Sequence, residues 1–364
     1  MSARSIQSFA AACVSVLSLA GSAAARGDVS YPAAEPGYKI EFPRDEGSHP
    51  QFKTEWWYLT GWLQNEAGDP FGFQVTFFRT RTGLDEDNPS RFTPRQLLFA
   101  HVAVSDPKRG MLVRGERSAR AGFGLAGAAE GGLRVHIDDW SMHAEADSYR
   151  VVALTGELRL ELQFATTQPP LLQGASGFSR KGLNAGAASH YYSLPHLQTT
   201  GRIVIEGREH RVRGAAWFDH EWSSGYMDEE AVGWDWVGLN LDGGAALMAF
   251  RMRDEHGGER WAGATLRGDP AGAPRSHPPA EIEWSPLREW RSPRTGVRYP
   301  IEWQIAIGDR MIVLRPLMDD QESDARGSTG TLYWEGAVRA FELDGRPIGR
   351  GYLELTGYGP RMKL

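Results

Sequence analysis

The stretch GAAWFDHEWSSGYM, Gly214 to Met227, sets an aspartate, a histidine and a glutamate side by side between two tryptophans. Those residue types fit three chemistries: proton transfer, metal ligation, or hydrogen bonding at the polar end of an aromatic strand. In an extended chain alternate side chains share a face, so Phe218, His220 and Trp222 fall on one side and Trp217, Asp219 and Glu221 on the other. A regular strand therefore cannot bring the three polar neighbours to one ion, and no H-x-H or H-E-x-x-H spacing completes a set. The sequence points to no metal and no other cofactor. A histidine between Phe218 and Trp222 suits acid–base work in an apolar cavity, where desolvation lowers its pKa. A structural histidine tied to a backbone carbonyl fits the same residues. Asp219 and Glu221 read as solvated or as holding the strand end.

Two further aromatic runs and one loop extend the candidate set. In GWDWVGLNLDGG, Trp234 and Trp236 share a face while Asp235 points the other way, toward the DHEW strand if the two face each other across a barrel. An apolar interior would raise the Asp235 pKa and make it a proton donor near neutrality; water would leave it ordinary. In FKTEWWYLTGWL, Glu55, Trp57 and Leu59 alternate with Trp56, Tyr58 and Thr60, so one tryptophan faces each side, one to line a cavity and the other to pack outward. ASHYYSLPHL adds His190, Tyr191, Tyr192 and His196 from a loop, either a lid or a plug at a barrel end. The candidate catalytic pair is His220 and Asp235, and the candidate ligand contacts are Trp57, Tyr191, Tyr192, Phe218, Trp222, Trp234 and Trp236. The G-x-S-x-G elbow, the strand-borne G-x-G-x-x-G and the Walker loop are all missing. A hydrolase of unusual type would need a carboxylate pair that does not stand out.

The elements that must position these residues are strands. Helical periodicity is hard to find, whereas alternating runs such as FGFQVTFFRT, YRVVALTGELRLELQFAT and IEWQIAIGDRMIVLRPL recur between turns such as NEAGDP, EGRE, IGDR and LDGRP. The class is all-β, and many short strands imply a sandwich or barrel. WYLTGWLQNEAGDPFGFQVTF and LYWEGAVRAFELDGRPIGRGYLEL echo each other, each running from an aromatic-x-x-Gly start through an Asp/Gly turn into an alternating strand. Thr166 to Gly201 is the least strand-like stretch and reads as a connection between domains that also covers a site.

Residues 1–25 read as a cleavable signal peptide: Arg4 precedes a short apolar run, and SAAA ends in a cleavage pattern. The expected domains are 32–197 and 198–364. Export to the periplasm or medium would remove Cys13, the one cysteine, so the mature fold rests on its core alone. The net charge of −6 and the balanced basic clusters exclude a nucleic-acid surface, and no later segment predicts stable membrane insertion. Thirteen tryptophans indicate large apolar surfaces of the kind that surround a hydrophobic small molecule.

TEWWYLTGWL, HYYSLPHLQTTGRI, GAAWFDHEWSSG, GWDWVGLNLDGGAALMAFRMR and the closing YWEGAVRAF and GRGYLELTGYG together resemble the exported AttH-like, carotenoid 1,2-hydratase-related family, from about residue 38 onward. The resemblance implies two lipocalin-like β-barrel domains in tandem. Characterised relatives include hydratases that add water to an isolated double bond of an acyclic carotenoid and fungal proteins that assist pericyclic cyclisation. Exported members are linked to an envelope transport system, which makes a non-catalytic carrier the alternative. The hydratases' histidine two residues before a tryptophan falls on His220 and Trp222, and the nearest candidate for their acidic proton donor is Asp235. Hydration needs an acid to protonate carbon, aromatic faces to stabilise the cation, and a held water to capture it.

Overall fold

The computed structural model describes residues 29–359, so the expected signal segment lies outside the described residues. Residues 31–359 belong to one compact unit. The regular structure is β-strand apart from three short 3-10 turns, and among the described residues no helix is long and apolar enough to cross a membrane. Two large antiparallel sheets, of thirteen and ten strands, curl around separate apolar cores in a tandem lipocalin-like arrangement. Alternation explains the strands. Leu158, Leu160, Leu162 and Phe164 are buried while Arg159 and Gln163 are exposed, which pins each register to its core.

The first sheet is organised around two neighbours far apart in sequence. The strand Thr54–Asn65 pairs with Pro70–Arg81 on one side and with Arg208–Gly225 on the other. Both echoed segments are hairpins, 54–81 in the first sheet and 331–356 in the second.

Ala188–Ile205 corrects two expectations. HYYSLPHL is a strand paired along Arg208–Gly225, not a loop or lid. The expected domain boundary between 197 and 198 falls inside it, and the chain changes sheets between Gly225 and Gly233. Both faces of the first half of this strand are covered, so its residues show no alternation of apolar and polar character. Pro195 and His196 sit at a bulge, where His196 has φ of 53°.

A third apolar cluster, with Tyr58, Trp62, Trp217 and Trp236, lies between the sheets. The sheets come into close contact at Gly72, where a Cβ would lie 2.6 Å from the Cβ of Ala337. Gly72→Val should therefore cost about 1–3 kcal/mol by overpacking. Placing Ala at 72 and Gly at 337 should recover most of that stability relative to Gly72→Ala alone. Chemical denaturation of the three variants checks this; a double variant no better than Gly72→Ala would mean that the sheets do not touch there.

Candidate functional site

His220 lies where the alternation of its strand requires, on the inner face of the first sheet with Phe218 and Trp222. Trp57 and Tyr192 sit opposite it on the flanking strands. The Trp57 ring stacks on the imidazole at 4.9 Å and the Tyr192 ring meets it edge-on at 5.5 Å. Nδ1 lies 2.9 Å from the Asp45 carbonyl oxygen and Nε2 lies 3.0 Å from Glu55 Oε1, so a neutral ring donates to one of the two and an imidazolium to both. Burial lowers the His220 pKa, with Glu55 pulling the other way.

Glu55 is the centre of this network. Its Oε1 also meets His49 Nδ1 at 2.7 Å, and its Oε2 accepts from Arg79 Nε at 2.8 Å and from Ser48 at 3.0 Å. Burial alone would raise its pKa. Hydrogen bonds from His220 and His49 and the Arg79 charge outweigh burial and hold the carboxyl well below the usual range. Burial likewise opposes charge on His49, but Asp45 and Glu55 raise its pKa overall. The donor atoms of His49, Glu55 and His220 converge closely enough to be a candidate cation-binding set, which the D-H-E run did not reveal because Glu55 and His49 come from other segments. At 2.7 and 3.0 Å from one carboxylate oxygen, both ring nitrogens already occupy hydrogen-bond positions. His220, fully buried with both nitrogens engaged, offers no free atom to a ligand.

Asp235 does not join His220. It faces the second sheet's core beside Val237 and Leu239, and not the DHEW strand. Its oxygens accept from Arg251 at 2.7 Å, Arg253 at 3.1 Å and Tyr358 at 3.0 Å. That is the setting of a counter-ion in a wall, with both oxygens taken up by these donors. The candidate aromatics divide in the same way. Trp57, Tyr192, Phe218 and Trp222 surround His220, whereas Tyr191, Trp234 and Trp236 lie between the sheets.

The inter-sheet layer holds the ionisable groups that sequence reasoning missed. Asp219 and Glu221 are buried there, neither solvated nor at a strand end. Asp219 accepts from Tyr191 and Trp217, each at 2.7 Å, and from Ser193; Trp236 in turn donates to the Tyr191 hydroxyl at 3.0 Å. Glu221 pairs with buried Lys181 at 2.8 Å. Burial pushes the Asp219 pKa up to about 7 against those hydrogen bonds. Across from them, Glu335 and Glu354 are directly opposed on adjacent strands. Burial, then the charge of its partner, raises Glu335 well above the carboxylate range. Burial raises Glu354 to about 8, helped by the charges of Asp219, Glu221 and Asp235 and opposed by Trp234. Thr60 Oγ1 is buried and, among the described residues, meets no hydrogen-bond partner, whereas the Tyr58 hydroxyl lies against Glu335 and the Tyr352 hydroxyl against Ser105.

A raised carboxyl pKa fixes a sign. Asp219 contributes its stability fully below the unfolded value near pH 4 and loses it as pH rises through about 7. Asp219→Asn should therefore show a flatter stability curve between pH 4 and 8, gaining about 1–3 kcal/mol on wild type across that window. Urea titrations at several pH values check this; parallel curves would place the Asp219 pKa at its ordinary value.

Next to this layer a crevice of about 960 Å³ opens between the sheets, with Trp62 and Trp217 in its lining and His196 at its rim. His196 is fixed there by its own N–H to Asn240 and by its ring to the Ala245 carbonyl, both at 2.8 Å. Thr60 joins the two regions, since it lines the crevice and stands between Tyr58 and Trp62 on one strand face.

The family model described as AttH-like matches residues 33–358. The chain belongs to the AttH-like family. Among solved structures, an AttH candidate from Nitrosomonas europaea is 47% identical, with a TM-score of 0.84, covering 90% of this chain and 100% of that one. Kievitone hydratase from Nectria haematococca shares the fold of the AttH-like chain at 14% identity and a TM-score of 0.69, covering 91% of this chain and 96% of its own. CghA in complex with Sch210972 shares it at 15% identity and a TM-score of 0.53, over 84% and 89%. No curated protein matches the chain in sequence.

Proposed function

We propose that the cleft between the two sheets binds an apolar, unsaturated small molecule and that Glu354 protonates it in a hydratase-like addition of water. The observation that carries this reading is the opposed pair Glu335 and Glu354. Burial raises both above the carboxylate range, and the buried Tyr58 and Tyr352 hydroxyls belong to the same layer, Tyr58 against Glu335. Glu354 is the less enclosed of the two and lies in the inter-sheet layer beside the crevice, outside the crevice lining itself. Its proton passes to an alkene carbon, leaving a cation that the faces of Trp234, Trp236 and Tyr58 stabilise. A water held by the Tyr58 and Tyr352 hydroxyls adds to the cation, and its proton returns to the Glu354 carboxylate, so the acid is regenerated and one water is gained. Family membership and the fold shared with a protein named as a hydratase support the chemistry. In this reading the His220 network shapes the first barrel and does not touch the substrate.

The test is incubation with acyclic isoprenoids and unsaturated lipids in ¹⁸O-labelled water, followed by mass spectrometry, with Glu354→Gln alongside. Label incorporated by wild type and not by the variant supports the proposal. A ligand recovered unchanged from both replaces it with the carrier reading, which the engaged state of His220 and Asp235 favours.

A further inference from the structure

Arg213, Arg339 and Arg350 line the crevice, and on the second sheet their arrangement is unfavourable as it stands. Arg339 lies directly opposite Arg350 on the neighbouring strand, and Arg315 lies directly opposite Arg339 on the other side. Like charges in register across a sheet destabilise it. Arg213 lines the same crevice from the first sheet, between Gln64 and Thr200 on its flanking strands. Among the described residues none of these four arginines has an ion-pair partner. Other surface arginines do, as Arg202 with Glu161 and Arg294 with Asp320. Arg339 and Arg350 instead lie over the indole of Trp62, at 5.5 and 5.2 Å from its ring. That indole is itself fixed by donating to the Gly351 carbonyl at 2.9 Å.

A row of unpaired guanidinium groups over an aromatic floor is a receptor for an anion attached to an apolar body. The anion removes the repulsion along the row and accepts charge-assisted hydrogen bonds, while the aromatic floor takes the hydrocarbon. We infer that the crevice binds the acidic head group, a carboxylate or a phosphate ester, of an amphiphile whose chain runs inward between the sheets. This rests on the ligand-binding reading of the cleft given above and adds the class of ligand. Asp242 is the one acidic residue of the lining.

Calorimetric titration of wild type and of the double variant Arg339→Gln/Arg350→Gln with oleate, oleyl alcohol and inorganic phosphate tests this. Oleate should bind wild type and weaken by about tenfold or more in the variant, while any binding of oleyl alcohol should not change. The melting temperature of the variant at low salt should equal or exceed that of wild type, because a repulsive pair is gone. Oleate bound equally by both proteins, or no better than oleyl alcohol, overturns the inference and leaves apolar binding standing. Arginine-dependent binding of phosphate without oleate keeps the anion site, assigns it to free anions, and removes the apolar reading. Failure of both oleate and phosphate removes the anion site.

Discussion

Glu354→Gln is expected to slow addition of water to an unsaturated substrate by about a hundredfold to ten-thousandfold, the usual contribution of a positioned general acid. Gln keeps the shape and removes the proton. The folded protein should lose nothing at neutral pH, because Glu354, with its pKa near 8, is already uncharged there. The pH profile gives a second reading of the same group. Wild-type turnover should fall as pH rises through about 8, since only the protonated form donates. Turnover that rises through that range would make Glu354 a base, and an unchanged rate in the Gln variant would remove it from the chemistry.

The largest expected loss of stability is in the first barrel. Glu55→Ala leaves buried Arg79 and His49 without their shared counter-charge and His220 Nε2 without its partner. Breaking a buried charge network in this way costs about 3–5 kcal/mol. Urea unfolding measures it, and a loss under about 1 kcal/mol would equate the network with an exposed pair. The pH dependence has the opposite sign to that of Asp219. Glu55 has a depressed pKa, so its contribution is complete above the unfolded value near 4 and fades as pH falls through the folded one. The gap between wild type and Glu55→Ala should accordingly narrow only in acid.

How far the sequence revealed this site depends on what covers each strand face. The split of Phe218, His220 and Trp222 from Trp217, Asp219 and Glu221 was readable, because alternation is a property of the extended backbone itself. What lies against each face was not readable. Asp219, Glu221, Glu335 and Glu354 all occupy positions that alternation assigns to solvent, and the first three are buried and Glu354 partly covered only because a second sheet packs on that side. HYYSLPHL was misread for the same reason, since covering both faces removes the pattern that marks a strand. Glu55 was visible as an acid beside tryptophans. Its partner His49 was hidden, because His49 and the Asp45 that His49 also meets come from a segment that no periodicity marks.

The pairing of the first sheet has a consequence for how the chain reaches its folded state. Thr54 lies opposite Ser223, so the Thr54–Asn65 strand waits for its second neighbour until the chain is complete through that point. The hairpin with Pro70–Arg81 can form early, because its ends are close in sequence. Closure of the barrel, which joins distant segments, has to come late and slowly. Until then the Thr54 strand exposes an unpaired apolar edge, the kind of surface on which incomplete chains associate. Truncation before Arg208 should therefore yield aggregates in place of an isolated first barrel, and factors that hold unfinished chains should raise the yield of the whole protein.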